Sequence, residues 1–437
     1  MERIDRTYST DVKSGDDKVK VSGWVHEIRD IGKLVFIVIR DRKGKIQATF
    51  KEDECGEELF KEVKNLGKES VVEITGSVEE NGQAPGGREV KPDEMVVLSE
   101  AETPLPLEVS GSVDSDLSTR LDERFIDLRK KEEFDIFSFR SKVVSGLRDY
   151  FESEEFVEIH TPIISKGGAE GGATLFPVIY YQEEAFLRQS PQLYKQMLMA
   201  AGFDKVFEIG PSFRAEKFGT SRHVSEFTQW DVEMAFIEDQ NDVMDHLEKG
   251  LKHLIGYLKE NASRELEDLG IELKEPDYDF PRIKFDEAID ILEKEYDHVP
   301  EDPTDLDTKG EKLLGKYFEE KGKEFFFVVG YPGEKFYYMQ GREEDDMASR
   351  KFDLIYRGQE LSSGGQREHR IDVLHKAMEE EGMDKSNFEF FLQIFKYGIP
   401  PHGGFGLGVD RLVTKLLELD NIKEGIMFPR DPNRLSP

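Results

Sequence analysis

The chain has 437 residues, 37% hydrophobic and 35% charged, a length that exceeds one ordinary core and suits two or three domains. One cysteine, Cys55, excludes a disulfide framework and a cysteine-based zinc site, and no apolar run approaches the roughly 20 residues of a transmembrane helix. With no hydrophobic leader in MERIDRTYSTDVKSG, this predicts a soluble cytoplasmic protein with no membrane partner, and the net charge of −32 predicts one adapted to concentrated salt, a halophilic surface.

Residues 18–100 read as about five short strands. Val19, Val21, Gly23 and Val25 alternate with polar positions, as do Ile46, Ala48 and Phe50, and VVEITGSV (71–78) and MVVL (95–98) complete a small closed β-barrel of the OB type. A proline-containing link, Thr103 to Leu107, leads into the polar run SGSVDSDLSTR. From about 133 the apolar period becomes helical through Ile136, Phe139, Val143, Leu147 and Phe151. Beyond it, strands are predicted at 205–213, 226–236, 325–331, 335–339 and 351–358, and helices at 240–260, at 284–295 and from Val409 to Leu417. Strands and helices without strict alternation predict an α+β domain on a largely antiparallel sheet flanked by helices. The expected organisation is a barrel over 1–104, a hinge over 105–131 and the α+β domain over 132–437.

Three clusters carry chemistry, and none is a P-loop, a dinucleotide fingerprint or a zinc-protease motif. GGFGLGVDRL (403–412) reads as a glycine-rich turn opening a helix, with Gly408, Val409, Asp410 and Arg411 placed to receive a phosphate. FRAEKFGTSRHVSEFT (213–228) reads as strand, loop and strand. Arg214, Ala215 and Glu216 follow the first strand, Arg222, His223 and Val224 lie in the loop, and Phe227 offers a ring to a base. ELSSGGQREHR (360–370) places Glu360, Ser363 and Arg367 around an expected Gly-Gly kink; a carboxylate and a hydroxyl suit Mg²⁺. Taken singly, the first also reads as an ordinary turn and the second as a salt-bridged hairpin tip.

Together with FVEIHTP (156–162), these clusters resemble the three signature motifs of class II aminoacyl-tRNA synthetases, and GGAEGGATLFPV (167–178), QSPQLYKQ (189–196) and FPRDPNRLSP narrow the resemblance to the archaeal-type aspartyl enzymes. The similarity runs essentially end to end. It implies that ATP and L-aspartate form aspartyl-adenylate, which is then transferred to the 3′ end of tRNA. Arg214, Arg411 and Glu360 would act on the phosphates, with Phe227 stacked on adenine, Glu216 and His223 positioning the nucleotide, and Mg²⁺ held by Glu360 and Ser363. Glu170, Gln192, Lys195, Arg214, Ser363 and Arg367 would bind aspartate, Glu170 as part of a lid.

Within the resembling group the amino acid could be aspartate, asparagine or lysine. Lys195 and Arg367, two cations that would repel each other without an anionic ligand, argue for aspartate. His26, Phe36, Gln47 and Pro85 are the expected anticodon readers. His26 and Pro85 resemble the pair of relaxed enzymes that charge both tRNA-Asp and tRNA-Asn and depend on an amidotransferase to correct the product. A discriminating enzyme and a non-catalytic RNA-binding paralogue are the alternatives. The resemblance also implies a homodimer, and Arg120, Arg124, Arg129, Lys130 and Lys131 near the hinge are expected to assist tRNA binding in salt.

Overall fold

A computed structural model describes residues 4–111, 113–166, 175–217, 219–333, 335–339 and 348–437. The chain divides into two compact units, one ending at Lys130 and the other beginning at Lys131. In the first, the strands Val19–Asp30, Leu34–Arg40, Lys45–Lys51, Arg88–Ser99 and Val71–Glu80 close, in that spatial order, into a barrel. Strand alternation sets its interior: Val35, Ile37 and Ile39 fill it beside Val21, Val25, Ala48 and Ile74. Phe36 therefore points the other way. Its cross-strand partner is Thr49, and Val38 faces Gln47, so the four share the outer surface.

Residues 105–130 form part of this first unit. They carry short helices, Leu117–Asp122 and Arg124–Asp127, over an apolar cluster of Leu107, Val109 and Ile126. The fully buried carboxylate of Asp127 gathers Arg120 at 3.3 Å, Arg124 at 2.5 Å and Lys130 at 2.9 Å, while Arg129 reaches Glu69 at 3.1 Å. These four cations, expected as free basic groups, are held in ion pairs because a buried anion requires partners. In the second unit, Lys131 pairs with Asp135 and Asp268.

The second unit is an eight-stranded sheet in the order Arg282–Lys284, Phe325–Val329, Lys351–Tyr356, Gln359–Gln366, His402–Gly408, Glu226–Ala235, Lys205–Phe213 and Val157–Glu158. Its pairings are antiparallel except at the two edges. On one face Trp230, Val232, Met234, Phe405 and Leu407 pack against Phe139, Val143, Leu147 and Phe151 of the helix Lys131–Ser153 and Leu247, Leu251 and Leu254 of the helix Gln240–Asn261. Each such fully buried side chain contributes about 1.5–3 kcal/mol, which is why the helical period was visible in the sequence. Asp239 caps the second helix, and its own backbone N–H donates in return to the Asp242 carboxylate.

Three local expectations fail, each for a tertiary reason. Residues 335–339 form no strand: they make a single bridge, Tyr338 to Arg367, and bury Phe336, Tyr337 and Tyr338 in a satellite core. The glycine-rich run is the strand His402–Gly408 near the sheet centre, not a turn. Likewise Gly364 and Gly365 lie within the strand Gln359–Gln366 and make no kink. Glycine is required there by proximity. A Cβ at Gly404 would run into the Val232 carbonyl and the Glu233 carboxylate, and one at Gly406 into the Gln229 amide.

Candidate active site

The other face of the sheet is polar, and strand register decides which residues meet there. Along Glu226–Ala235 the alternation places Phe227, Gln229, Asp231 and Glu233 on this face, opposite the core residues Trp230, Val232 and Met234. Gln229, Asp231 and Glu233 pair with Gly408, Gly406 and Gly404, so side chains on one strand lie beside bare backbone on the next. Gly406 pairs onward with Ser363, and Ser363 with Asp353. The glycines leave a trough, a cavity of about 370 Å³ lined by Arg214, Glu216, Arg222, His223, Val224, Phe227, Glu360, Ser363, Gly408, Asp410 and Arg411. The three sequence clusters thus converge.

At one end the groups are cationic and partly open. The guanidinium of the exposed Arg214 lies over the Phe227 ring, 5.3 Å from its centre. Arg411, the third residue of the helix Val409–Leu416, donates to the Glu360 carbonyl at 3.0 Å and approaches its carboxylate at 3.5 Å. Burial raises the pKa of the Glu360 carboxyl, but Arg411, Lys351 and Arg214 outweigh it and hold it below the usual carboxylate range. Arg222 is turned toward Glu311 at 3.4 Å and the Gly358 carbonyl at 3.2 Å. Burial and then Arg411 depress His223, so its ring is neutral near neutral pH. Since Arg411 can only donate to Nε2, at 3.4 Å, the proton sits on Nδ1 and faces Thr220 Oγ1 at 2.9 Å. Asp410 points inward. It accepts from the Thr228 amide at 2.6 Å and pairs with Arg140 at 2.7 Å, fixing the helix start to the neighbouring strand.

At the other end lie Gln192, Asp231 and Tyr338, backed by ionic groups that do not themselves line the cavity. Lys195 and Arg367 are each only 1% exposed. Lys195 Nζ holds Asp231 at 3.0 Å, Glu233 at 3.4 Å and the carbonyls of Val232 and Phe405. Arg367 grips Glu233 at 3.0 and 3.3 Å and the Gly404 carbonyl at 2.9 Å. Glu233 is fully buried between the two cations. Burial would raise its pKa, but Arg367 and Lys195 keep it ionised. The expected repulsion between Lys195 and Arg367 is therefore absent, because Glu233 supplies the counter-charge internally. Among the described residues nothing accepts from Nη1 of Arg367, which is buried, so both of its N–H groups are unused.

The donors present fit Mg²⁺ as a phosphate-bound ion. Glu360 and Ser363 are hard oxygen ligands on the cavity wall, yet among the described residues no group of three or more acidic, histidine or cysteine side chains is placed to hold a metal alone. Phosphate oxygens would have to complete the shell. Glu170 lies outside the described residues.

Sequence reasoning missed Asp231, Glu233, Gln196 and His402. Asp231 and Glu233 did carry a signal: two carboxylates at alternate positions of an apolar strand, which mark a buried charged face. Gln196 and His402 carried none.

In the barrel, His26 sits at a bulge between Val25 and Glu27 and is half-buried. Its Nδ1 is 3.1 Å from Arg40 Nη1 and its Nε2 is 2.7 Å from Lys45 Nζ; burial, then Lys45 and Arg40, lowers its pKa. Phe36 is half-buried on the outer surface. Gln47 shares that face, but it is only 8% exposed and gives its amide to Glu89 at 2.7 Å, so it is not the open amide expected. Pro85 opens the turn Pro85–Gly87.

Two family models match the chain: tRNA synthetases class II (D, K and N) over residues 116–432, and the OB-fold nucleic acid binding domain over residues 19–98. The aspartate–tRNA(Asp) ligase of Pyrococcus abyssi is 49% identical over 422 residues, covering 96% of each chain. The aspartate–tRNA(Asp/Asn) ligase of Methanopyrus kandleri is 46% identical over 434 residues, covering 98% of this chain and 99% of that one. The crystal structure of asparaginyl-tRNA synthetase from Pyrococcus horikoshii, complexed with asparaginyl-adenylate, is similar at a TM-score of 0.91 and 35% identity, with 100% of each chain covered.

Proposed function

The chain belongs to the class II aminoacyl-tRNA synthetases of the aspartate, lysine and asparagine group, and from that premise we propose that it is an aspartate–tRNA ligase of relaxed tRNA specificity. One observation argues against a cationic side chain in the substrate: Arg367 keeps a buried Nη1 with no acceptor among the described residues, while Lys195 stands across Glu233 from it. A side-chain carboxylate or amide oxygen supplies the acceptor that Nη1 lacks, whereas an ammonium side chain would meet a cation; the relatives named aspartate–tRNA ligases favour the carboxylate.

In the first step, a carboxylate oxygen of aspartate bonds to the α-phosphorus of ATP, the bond to the bridging oxygen breaks, and pyrophosphate leaves. Arg214 neutralises charge growing on the α-phosphate while Phe227 stacks on adenine, and their existing contact already orients both. Arg411 holds the terminal phosphates, and Glu216, His223 and Arg222 position the nucleotide. Mg²⁺ held by Glu360 and Ser363 would neutralise phosphate charge when bound. In the second step, a hydroxyl of the terminal adenosine of tRNA attacks the anhydride carbonyl and AMP leaves. No side chain becomes a nucleophile, so positioning and electrostatics supply the rate.

On the barrel, Phe36 offers a stacking face. A neutral His26 accepts at only one ring nitrogen, so it cannot bond both Arg40 and Lys45; Arg40 is buried and bound through two nitrogens to Glu69, so the exposed Lys45 is the cation available to RNA. His26 and Pro85 admit more than one third anticodon base, which makes tRNA-Asn a substrate and requires an amidotransferase downstream. A homodimer accords with exposed Val157, Ile163, Ile164 and Ile179 in the second unit, the last 90% accessible.

The test is ATP–pyrophosphate exchange with aspartate, asparagine and lysine, followed by charging of tRNA-Asp and tRNA-Asn transcripts. Aspartate alone is expected to support exchange. Exchange with asparagine and not aspartate would overturn the substrate. A preference for tRNA-Asp above about a hundredfold, roughly 2.7 kcal/mol, would overturn the relaxed specificity. A monomeric mass by light scattering in active salt would overturn the dimer.

A further inference from the structure

Behind the cavity wall runs a polar chain that none of the steps above uses. Gln192 lines the cavity, and its Nε2 donates to Gln196 Oε1 at 3.0 Å. Gln196 Nε2 lies 2.9 Å from His402 Nε2, and His402 Nδ1 lies 2.9 Å from the Pro400 carbonyl. Gln196 and His402 are both 0% exposed.

Every direction in this chain is forced from its far end. A carbonyl only accepts, so His402 carries its proton on Nδ1. Burial lowers the His402 pKa to about 4, so the ring is neutral and Nε2 offers a lone pair. Gln196 must then donate with its nitrogen, which turns its oxygen to Gln192. Gln192 must in turn donate with its nitrogen, which leaves its oxygen as its one remaining side-chain polar atom. A backbone carbonyl just before a strand thereby sets the orientation of an amide at the cavity. This matters because an ammonium group is donor-only. A freely rotating Gln192 would present NH₂ to it half of the time.

We propose that Gln196 and His402 are positioning residues, which hold Gln192 with its carbonyl oxygen turned to the cavity as the acceptor for the α-ammonium of the amino-acid substrate. The inference rests on reading this cavity as the amino-acid activation site, and it does not depend on which side chain the substrate carries.

The test is a double-mutant cycle of Gln196→Leu and Gln192→Ala, read as KM for aspartate and for ATP in pyrophosphate exchange. Inhibition by succinate, which is aspartate without its amino group, is the control. Gln196→Leu is expected to raise KM for aspartate about tenfold, with KM for ATP and succinate inhibition unchanged. In the double variant, aspartate should bind no worse than in Gln192→Ala alone. Additive effects, or succinate weakened as much as aspartate, would show a merely structural role and overturn the proposal. Gln196→Glu keeps an acceptor for Gln192 Nε2 and, with one added proton shared between its carboxylate and His402 Nε2, keeps both links, so its KM should stay within about twofold of the unaltered chain even if the leucine variant does not fold; a tenfold rise would count against the relay. If aspartate supports no exchange in the unaltered chain, the substrate reading fails by itself. The same cycle is then scored with asparagine or lysine against the matching desamino acid, since the α-ammonium is common to all three.

Discussion

At the end of the cavity proposed to hold the amino acid, Lys195 and Arg367 are buried and share Glu233 between them; at the end proposed to hold the nucleotide, Arg214 is exposed and Arg411 is held by a carbonyl, a neighbouring carboxylate and a neutral ring. The two ends use the same cations on opposite plans. A buried counter-ion prepays no phosphate binding but fixes geometry in a medium where salt does not penetrate. Open guanidiniums adapt to a mobile polyphosphate, and they remain subject to screening. On the proposed reading, one sheet face is thereby selective for a small substrate and permissive toward the path of a larger one.

The largest effect that would break this comparison is at Glu233. Glu233→Gln leaves Arg367 without its counter-charge and should destabilise the second unit by about 3–5 kcal/mol, seen as a lower urea midpoint. A change below about 1 kcal/mol would mean that Glu233 is not the shared anion.

Next in size is the split between ends. Arg411→Ala should reduce exchange by about 10²–10³-fold, or 2.7–4 kcal/mol, with the loss concentrated in ATP use. Arg367→Ala should instead abolish aspartate activation and leave ATP binding nearly intact. Equal increases in KM for ATP in both variants would dissolve the distinction.

The amino-acid end should also register in pH. His402 has a folded pKa of about 4 against an ordinary 6.5. Above pH 6.5 both folded and unfolded rings are neutral; as pH falls below it, only the unfolded ring binds a proton, so stability is lost. By pH 5 this amounts to about 2 kcal/mol, and His402→Gln should flatten that part of the profile. Identical slopes between pH 6.5 and 5 for the two proteins would contradict it.

The smallest effect is salt on substrate affinity. Raising ionic strength from about 0.15 M to 1 M shortens the screening length from about 8 to 3 Å, so KM for ATP should rise a few-fold while KM for aspartate holds. Over the same range the fold itself should gain stability, because a chain of charge −32 repels itself in dilute buffer. Full stability and activity in dilute buffer would reject the salt adaptation.

Much of this was legible in the residues. The helices Lys131–Ser153 and Gln240–Asn261 announce themselves by apolar period, and the barrel strands by alternation, because burial on one face leaves a local mark. Arg214, His223, Glu360 and Arg411, which line one cavity, stood out because their short runs concentrate the residue types that a phosphate site needs. What the chain could not disclose locally is where glycines fall in a sheet. GGFGLG reads as a turn by composition, and only its pairing with Gln229, Asp231 and Glu233 makes it a strand that must lack side chains. Nor could it disclose that Lys195, in one helix, and Arg367, just past a distant strand, would meet at a single carboxylate, or that a histidine at position 402 would orient an amide at position 192. Periodicity and composition are properties of neighbours in sequence, whereas charge pairing and hydrogen-bond direction belong to atoms that meet only after folding; the chain alone determined the two architectures and the residue types at the proposed phosphate end, and the tertiary structure decided how Lys195, Glu233 and Arg367 are held at the other.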